Sequence, residues 1–169
     1  GYIMAKILHG IVDDGTREIP LINKYGKTIC TVYMRPADFS IVDRYNALMQ
    51  NFNDVVKPLT ELSIRNDGTA EFEQDWQVLK AVEANLKQKI NELFDFDEAD
   101  AIFARRNPFS SVGGEFFCLK VLTALGGVIT EAIEEEAELS RKRMDKYLHD
   151  IEIKSDKAAE NAGAVTDNA

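Results

Sequence analysis

The sequence is poor in the residues that carry most metal and nucleophilic chemistry. Its 169 residues include two histidines, His9 and His149, and two cysteines, Cys30 and Cys118, all far apart along the chain. A structural zinc site needs cysteines and histidines at short ligand spacings, and no such spacing occurs. The glycine pairs lack the lysine and the serine or threonine that complete a phosphate-binding loop. We therefore expect a protein that is not an enzyme, with no metal site and no cofactor.

Long apolar runs and an excess of positive charge are also missing. The longest apolar stretches fall well short of the roughly 20 residues that cross a membrane. The formal net charge is −9, and an acidic chain gains little from the counterion release that drives nucleic-acid binding. The first ten residues show no signal peptide, and both cysteines read as reduced core residues. The sequence predicts a cytoplasmic protein that binds neither nucleic acid nor membrane.

The N-terminal part of the chain predicts a small antiparallel sheet. Apolar or β-branched runs at 6–12, 17–22 and 27–34 are separated by two turn signals, Asp13-Asp14-Gly15 and Asn23-Lys24-Tyr25-Gly26. Three short strands are therefore expected, and we assign residues 4–36 to this hairpin or meander region.

Residues 37–153 predict a helical domain, because apolar side chains recur every three or four positions. We expect helices at about 40–62, 70–94, 98–105 and 115–153, with loops at 66–69 and 109–114. Pro58 predicts a kink or break near Val56, and Asp38 or Ser40 can cap the first helix. Gly126-Gly127 marks either a kink or a close helix crossing. Residues 154–169 are small and polar, which predicts a flexible tail.

The expected fold class is therefore α+β and mostly α-helical. A short N-terminal antiparallel β-sheet precedes a helical bundle with a long C-terminal helix. At about 1.5 Å per residue this helix exceeds a small domain, so part of it should project or pack on another subunit.

The densest carboxylate cluster is a run of glutamates on the last helix. Glu131, Glu134, Glu135 and Glu138 share one face. A di-iron bundle also needs Glu-x-x-His pairs on other helices, and the sequence has none. A solvated face, partly paired with basic residues downstream, is the favoured interpretation. The alternatives are a surface that attracts a basic partner segment, and a small enzyme or metal-binding bundle that uses this cluster.

Phenylalanines form the other cluster, around a loop rich in proline and glycine. Its members are Phe94, Phe96, Phe103, Phe109, Phe116 and Phe117. They predict either a core junction between helices or a groove for a partner helix. Our partner-binding candidates are Phe103, Phe109, Phe116 and Phe117, with Phe109 expected at the rim.

Several short stretches carry a family resemblance. They are Ile19-Pro20-Leu21-Ile22-Asn23 with Gly26, Pro36-Ala37-Asp38-Phe39-Ser40 leading to Arg44, Ile90-Asn91-Glu92-Leu93-Phe94, Ala101-Ile102-Phe103, Asn107-Pro108-Phe109, and a long final helix reaching Arg143 and Lys146-Tyr147. In this order they resemble the tail assembly chaperones of long-tailed phages that infect Gram-positive bacteria. Where glycine is expected after the Phe94 and Phe103 positions, this chain has Asp95 and Ala104.

The resemblance implies a non-enzymatic role in the cytoplasm of the bacterial host. Such proteins coat the apolar, helical tape measure protein, hold it soluble and help to recruit tail tube subunits. Homo-oligomers lining one client fit this role. The alternative is a virion structural or adaptor protein, such as a tail completion factor.

Overall fold

A computed structural model describes residues 4–64 and 72–166. In chain order the elements are β1 (Arg17–Ile22), β2 (Thr28–Met34), α1 (Phe39–Ile64), α2 (Phe72–Phe94), α3 (Ala99–Ile102), β3 (Ser111–Val112), β4 (Glu115–Phe116) and α4 (Phe117–Thr166). The predicted fold class is confirmed, since a short N-terminal antiparallel sheet precedes helices that include a long C-terminal one. The loop predicted at 66–69 lies outside the described residues.

Strands β1 and β2 form an antiparallel hairpin with one buried face. Ile19 pairs with Val32 and Leu21 with Cys30, and the register shifts between Leu21 and Ile22. The Asn23 side chain accepts hydrogen bonds from the Tyr25 and Lys27 amides, at 2.9 and 3.1 Å. The side chains that the hairpin buries are Ile19, Leu21, Val32 and Met34.

The outer edge of β1 lacks a hydrogen-bond donor at Pro20. On the other strand, the Tyr33 amide donates to the Glu98 carboxylate, at 3.2 Å, and therefore points away from β1. Residues two positions apart in an antiparallel pair repeat this pattern, so Pro20, opposite Thr31, also directs its nitrogen outward. Proline is tolerated at such an edge position because no ladder bond is lost.

The predicted first strand at 6–12 is wrong, because this segment has no regular secondary structure. Its apolar side chains Ile7, Leu8, Ile11 and Val12 are 77–98% exposed. The turn after it does form, since the Gly15 amide donates to Asp13 and the Thr16 amide to Asp14, both at 3.0 Å. A third strand would need a continuous edge on β1, and Pro20 interrupts that edge.

Helices α1 and α2 pack together and bury apolar side chains at helical spacing. Those in α1 are Ile41, Leu48, Phe52, Val55 and Val56, and those in α2 are Val82, Leu86, Ile90, Leu93 and Phe94. Asp38 caps α1 by accepting the Ser40 amide at 3.1 Å. Of the kink or break predicted near Val56, the break is wrong, because α1 continues through Pro58 to Ile64. Burial of Val55 and Val56 just before the proline stabilises the helical conformation there.

Helix α4 is longer than the sequence predicted. It runs through Thr166 instead of ending near Ile153, so the predicted tail is helical up to that residue. Alanine and lysine are good helix formers, and the small, polar appearance of 154–166 hid this propensity. The chain forms two compact units, Gly1–Ile129 and Thr130–Ala169, so the sheet and the helices up to Ile129 belong to one unit.

Candidate functional site

A second, very short hairpin positions the phenylalanines at the start of α4. Strands β3 and β4 pair antiparallel, with Val112 opposite Glu115. The intervening Gly113 and Gly114 have φ values of 61° and 85°, which match a two-residue primed turn. The sequence predicts a loop at 109–114, although a Gly-Gly pair between two short strands is also a hairpin signal.

Backbone hydrogen bonds then fix the first turn of α4. The Phe117 amide donates to the Ser110 carbonyl and the Cys118 amide to the Pro108 carbonyl, both at 2.8 Å. Amides at a helix start have no partner within the helix, so these bonds satisfy two of them. The result is a rigid junction at which Phe116 ends a strand and Phe117 begins a helix.

The four candidate phenylalanines form two edge-to-face pairs in this junction. The rings of Phe103 and Phe117 are 6.0 Å apart at 84°, and those of Phe109 and Phe116 are 5.4 Å apart at 76°. Phe103 and Phe117 are only 7% and 6% exposed, whereas Phe109 and Phe116 are half-buried. The Arg106 guanidinium lies over the Phe117 ring at 4.9 Å. Phe103 and Phe117 therefore belong to the core, and the other two lie at its rim.

An apolar groove adjoins this junction, between the β1–β2 hairpin and the first turns of α4. Its volume is about 270 Å³, and it is lined by Pro20, Leu21, Ile22, Ile29, Cys30, Ile102, Phe117, Lys120, Val121, Ala124 and Val128. A cavity of about 150 Å³ accepts a benzene ring, so the groove has room for two branched aliphatic side chains. Ile22 and Ile29 at its rim are 60% and 44% exposed.

One wall of this groove follows from the sequence pattern and the other does not. Phe117 is shared with the predicted surface, but the residues from β1 and β2 were assigned to a separate region. The available signal was two isoleucines, Ile22 and Ile29, at the turn end of the hairpin, where the exposed positions of a two-stranded sheet are usually polar.

The groove wall contains two ionisable side chains, Cys30 and Lys120. Burial raises the pKa of the Cys30 thiol, and the nearby Glu98 carboxylate adds to the effect. The thiolate is the reactive form of cysteine, so this environment lowers its reactivity near neutral pH. Cys118 is fully buried, which raises its pKa to about 12. Both cysteines are free thiols, and the groove offers apolar contact more than chemistry.

The turn after α2 contains Asp95 where the resemblance places glycine. Asp95 has a φ of 60°, and its amide donates to the Asn91 carbonyl at 2.8 Å. Aspartate is one of the few residues other than glycine that adopt this left-handed conformation. Its carboxylate pairs with Arg35, whose guanidinium also lies 3.5 Å from Asp14 and 5.6 Å from the Phe96 ring. Arg35 thus ties this turn to the segment before β1.

The described residues contain no group of three or more His, Cys, Asp or Glu side chains that could hold a metal ion. The glutamate cluster lies in the second unit, where Glu131, Glu134 and Glu135 are exposed and Glu138 pairs with Arg141. Within residues 4–64 and 72–166, none of the helices is both long and apolar enough to span a bilayer. Comparison with protein-family models, curated proteins and solved structures finds no match to this chain.

Proposed function

We propose that this protein is a non-enzymatic phage tail assembly chaperone that binds the tape measure protein in the host cytoplasm and helps to recruit tail tube subunits. The apolar groove between the β1–β2 hairpin and α4 is the observation that carries the proposal. The sequence resemblance names the client, and the groove supplies a surface of the right chemistry for it.

The groove suits an amphipathic helix of the client. Its α4 wall is lined by Phe117, Val121, Ala124 and Val128, which follow one another by three or four residues and so form one continuous stripe. Phe117 and Val121 are only 6% exposed, so Ala124 and Val128 are the accessible members of this stripe. A client helix presents its own stripe at the same spacing, which is the helix-in-groove mode of recognition. Because the contacts are apolar and nonspecific in shape, one groove can accept many segments of a long client.

The acidic charge of the chain supports the same role. A net charge of −9 keeps copies from aggregating when many are crowded on one apolar client. Weak binding at each groove becomes strong when several copies act on one chain, because every further contact is effectively intramolecular. The proposal therefore includes a homo-oligomeric array on the client.

The test is co-expression with tape measure fragments, followed by size exclusion with light scattering. Ala124→Asp places a carboxylate in the groove, and Ala81→Asp makes the same change at an exposed position of α2. We expect soluble mixed complexes for the unmodified chain and for Ala81→Asp. We expect loss of the complex for Ala124→Asp, with an unchanged circular dichroism spectrum. Phe109→Asp tests the rim of the aromatic junction in the same assay.

Each outcome is informative. Fragments that stay insoluble with the unmodified chain contradict the chaperone role. If Ala124→Asp and Ala81→Asp bind equally well and Phe109→Asp does not bind, the binding surface is the aromatic rim and not the groove. Detection of the protein by mass spectrometry in purified virions supports the structural adaptor instead.

A further inference from the structure

The part of α4 in the second unit carries an apolar stripe that is exposed from Ala137 onward, whereas its first member, Ile133, is half-buried. At 100° per residue, Ile133, Ala137, Met144, Leu148 and Ile151 fall within a narrow sector of the helix, with Ser140 and Tyr147 beside them. The large side chains from Met144 to Ile151 are 42–62% exposed. A helix stabilised by an amphipathic face needs a partner for that face.

Charges flank this stripe in a pattern that is complementary to itself. Glu134 and Arg141 lie on one side of the stripe, and Glu136 and Arg143 lie on the other. On each side a glutamate precedes an arginine by seven residues, which is two helical turns. When a second copy of the helix lies antiparallel to the first, each glutamate of one copy therefore lies beside an arginine of the other.

We propose that residues 130–147 of α4 pair antiparallel with the same residues of a second copy of this chain. In this register Ile133 meets Met144 and Ala137 meets Ser140, so large side chains alternate with small ones along the seam. Glu136 then lies beside Arg143, and Glu134 beside Arg141, of the other copy. The twofold axis makes every one of these contacts twice.

The charge pattern decides between the two orientations. In a parallel pair the flanking contacts link positions five residues apart, which brings Glu136 to Arg141 but leaves Arg143 beside the apolar Leu148. The antiparallel pair matches all the flanking charges, so it is favoured. Arg141 also pairs with Glu138 of its own helix, so Glu136 and Arg143 are the more informative residues to change.

This inference does not depend on the proposed function, because it uses only residues of the second unit. The short overlap predicts a weak dimer, suited to reversible association. Client binding and helix pairing can fail separately, since variants of the groove and of the stripe lie in different units.

Charge exchange tests the pairing in the full chain by sedimentation velocity over a range of concentrations. Glu136→Lys alone and Arg143→Glu alone each place like charges side by side, and we expect each to weaken the dimer about tenfold. The double variant restores opposite charges in the antiparallel pair only, and we expect its dimer to recover to within about threefold of the unmodified chain. Raising the salt concentration should weaken the unmodified dimer as well.

A matched pair of aspartate substitutions tests whether the apolar stripe forms the dimer contact. Met144→Asp lies on the stripe, and Leu139→Asp changes an equally exposed side chain on the opposite face. We expect the dimer to be lost in the first and kept in the second, with equal helix content by circular dichroism. A chain that is monomeric at the highest concentrations, a double charge variant that stays dissociated, or equal effects of the two aspartates would overturn the proposal.

Discussion

Adjacent glycines in α4 should respond in opposite ways to the same substitution. A Cβ added at Gly126 would overlap the Tyr45 hydroxyl and lie 2.8 Å from Cζ of that ring. Gly127 has no atom within 4 Å of the same position. The sequence left a kink or a close helix crossing open for this pair, and the structure places the Tyr45 side chain of α1 against α4 at Gly126.

The magnitudes follow from the contacts. Replacing a helical glycine with alanine favours the helix by about 1 kcal/mol, and Gly127→Ala should gain roughly this amount. At Gly126 the Tyr45 ring must shift, which costs about 1–3 kcal/mol in a packed interface. The shift also endangers the hydrogen bond from the Tyr45 hydroxyl to the Leu122 carbonyl, 2.9 Å long and worth about 1 kcal/mol. Gly126→Ala should therefore lose about 1–3 kcal/mol in total.

The measurement is urea unfolding followed by circular dichroism, with the free energies compared at constant m. Tyr45→Phe removes the closest atom, so the double variant with Gly126→Ala should be more stable than the sum of the single effects by about 0.5 kcal/mol or more. Equal stabilisation by alanine at Gly126 and Gly127 would refute the contact between Tyr45 and Gly126.

Two further predictions use the titratable groups. Burial raises the pKa of Cys30 above its ordinary value of 9.0, so its alkylation rate should still be rising at pH 9, and the client helix proposed for the groove should slow this alkylation. Cys118, with a pKa of about 12 and no exposure, should react only on unfolding, and labelling of both thiols at equal rates in the native protein would contradict this. Asp38→Ala should lower the melting temperature by removing the cap of α1, whereas Asp38→Asn keeps an acceptor oxygen and should lower it less. Hydrogen bonds from Ser40 hold the pKa of Asp38 below its ordinary 3.8. The loss of stability in Asp38→Ala should therefore be full above about pH 4 and fade as the pH falls further. A loss that grows in acid would contradict the cap.

Helical periodicity predicted most of the fold. The stripes of α1 and α2 lie on the buried faces that the sequence indicated, because their burial is a local property of spacing. Strand pairing is not local, and the segment at 6–12 shows the difference. Its composition suits a strand, but a strand needs an open edge to pair with. The outer edge of β1 is interrupted at Pro20, which the composition of 6–12 does not show.

The candidate site also has a part that the sequence predicts and a part that it does not. The clustering of Phe103, Phe109, Phe116 and Phe117 follows from a short loop and was visible in the sequence. Their separation into a buried pair and a rim pair depends on the hairpin between Ser111 and Phe116, which has only a Gly-Gly signal. The groove joins residues about 100 positions apart, from Ile22 to Val128, and no sequence pattern in one chain links them.

Pro20 also limits how copies of this protein can join. An open strand edge with regularly spaced amides lets sheets add to one another without end, as amyloid does. At Pro20 one of those amides is missing, and on β2 the Tyr33 amide is already bonded to Glu98. Strand-by-strand growth at this hairpin is thereby discouraged, which leaves side-chain surfaces as the route to assembly. Contacts of that kind are discrete and reversible, unlike a strand ladder that extends from copy to copy.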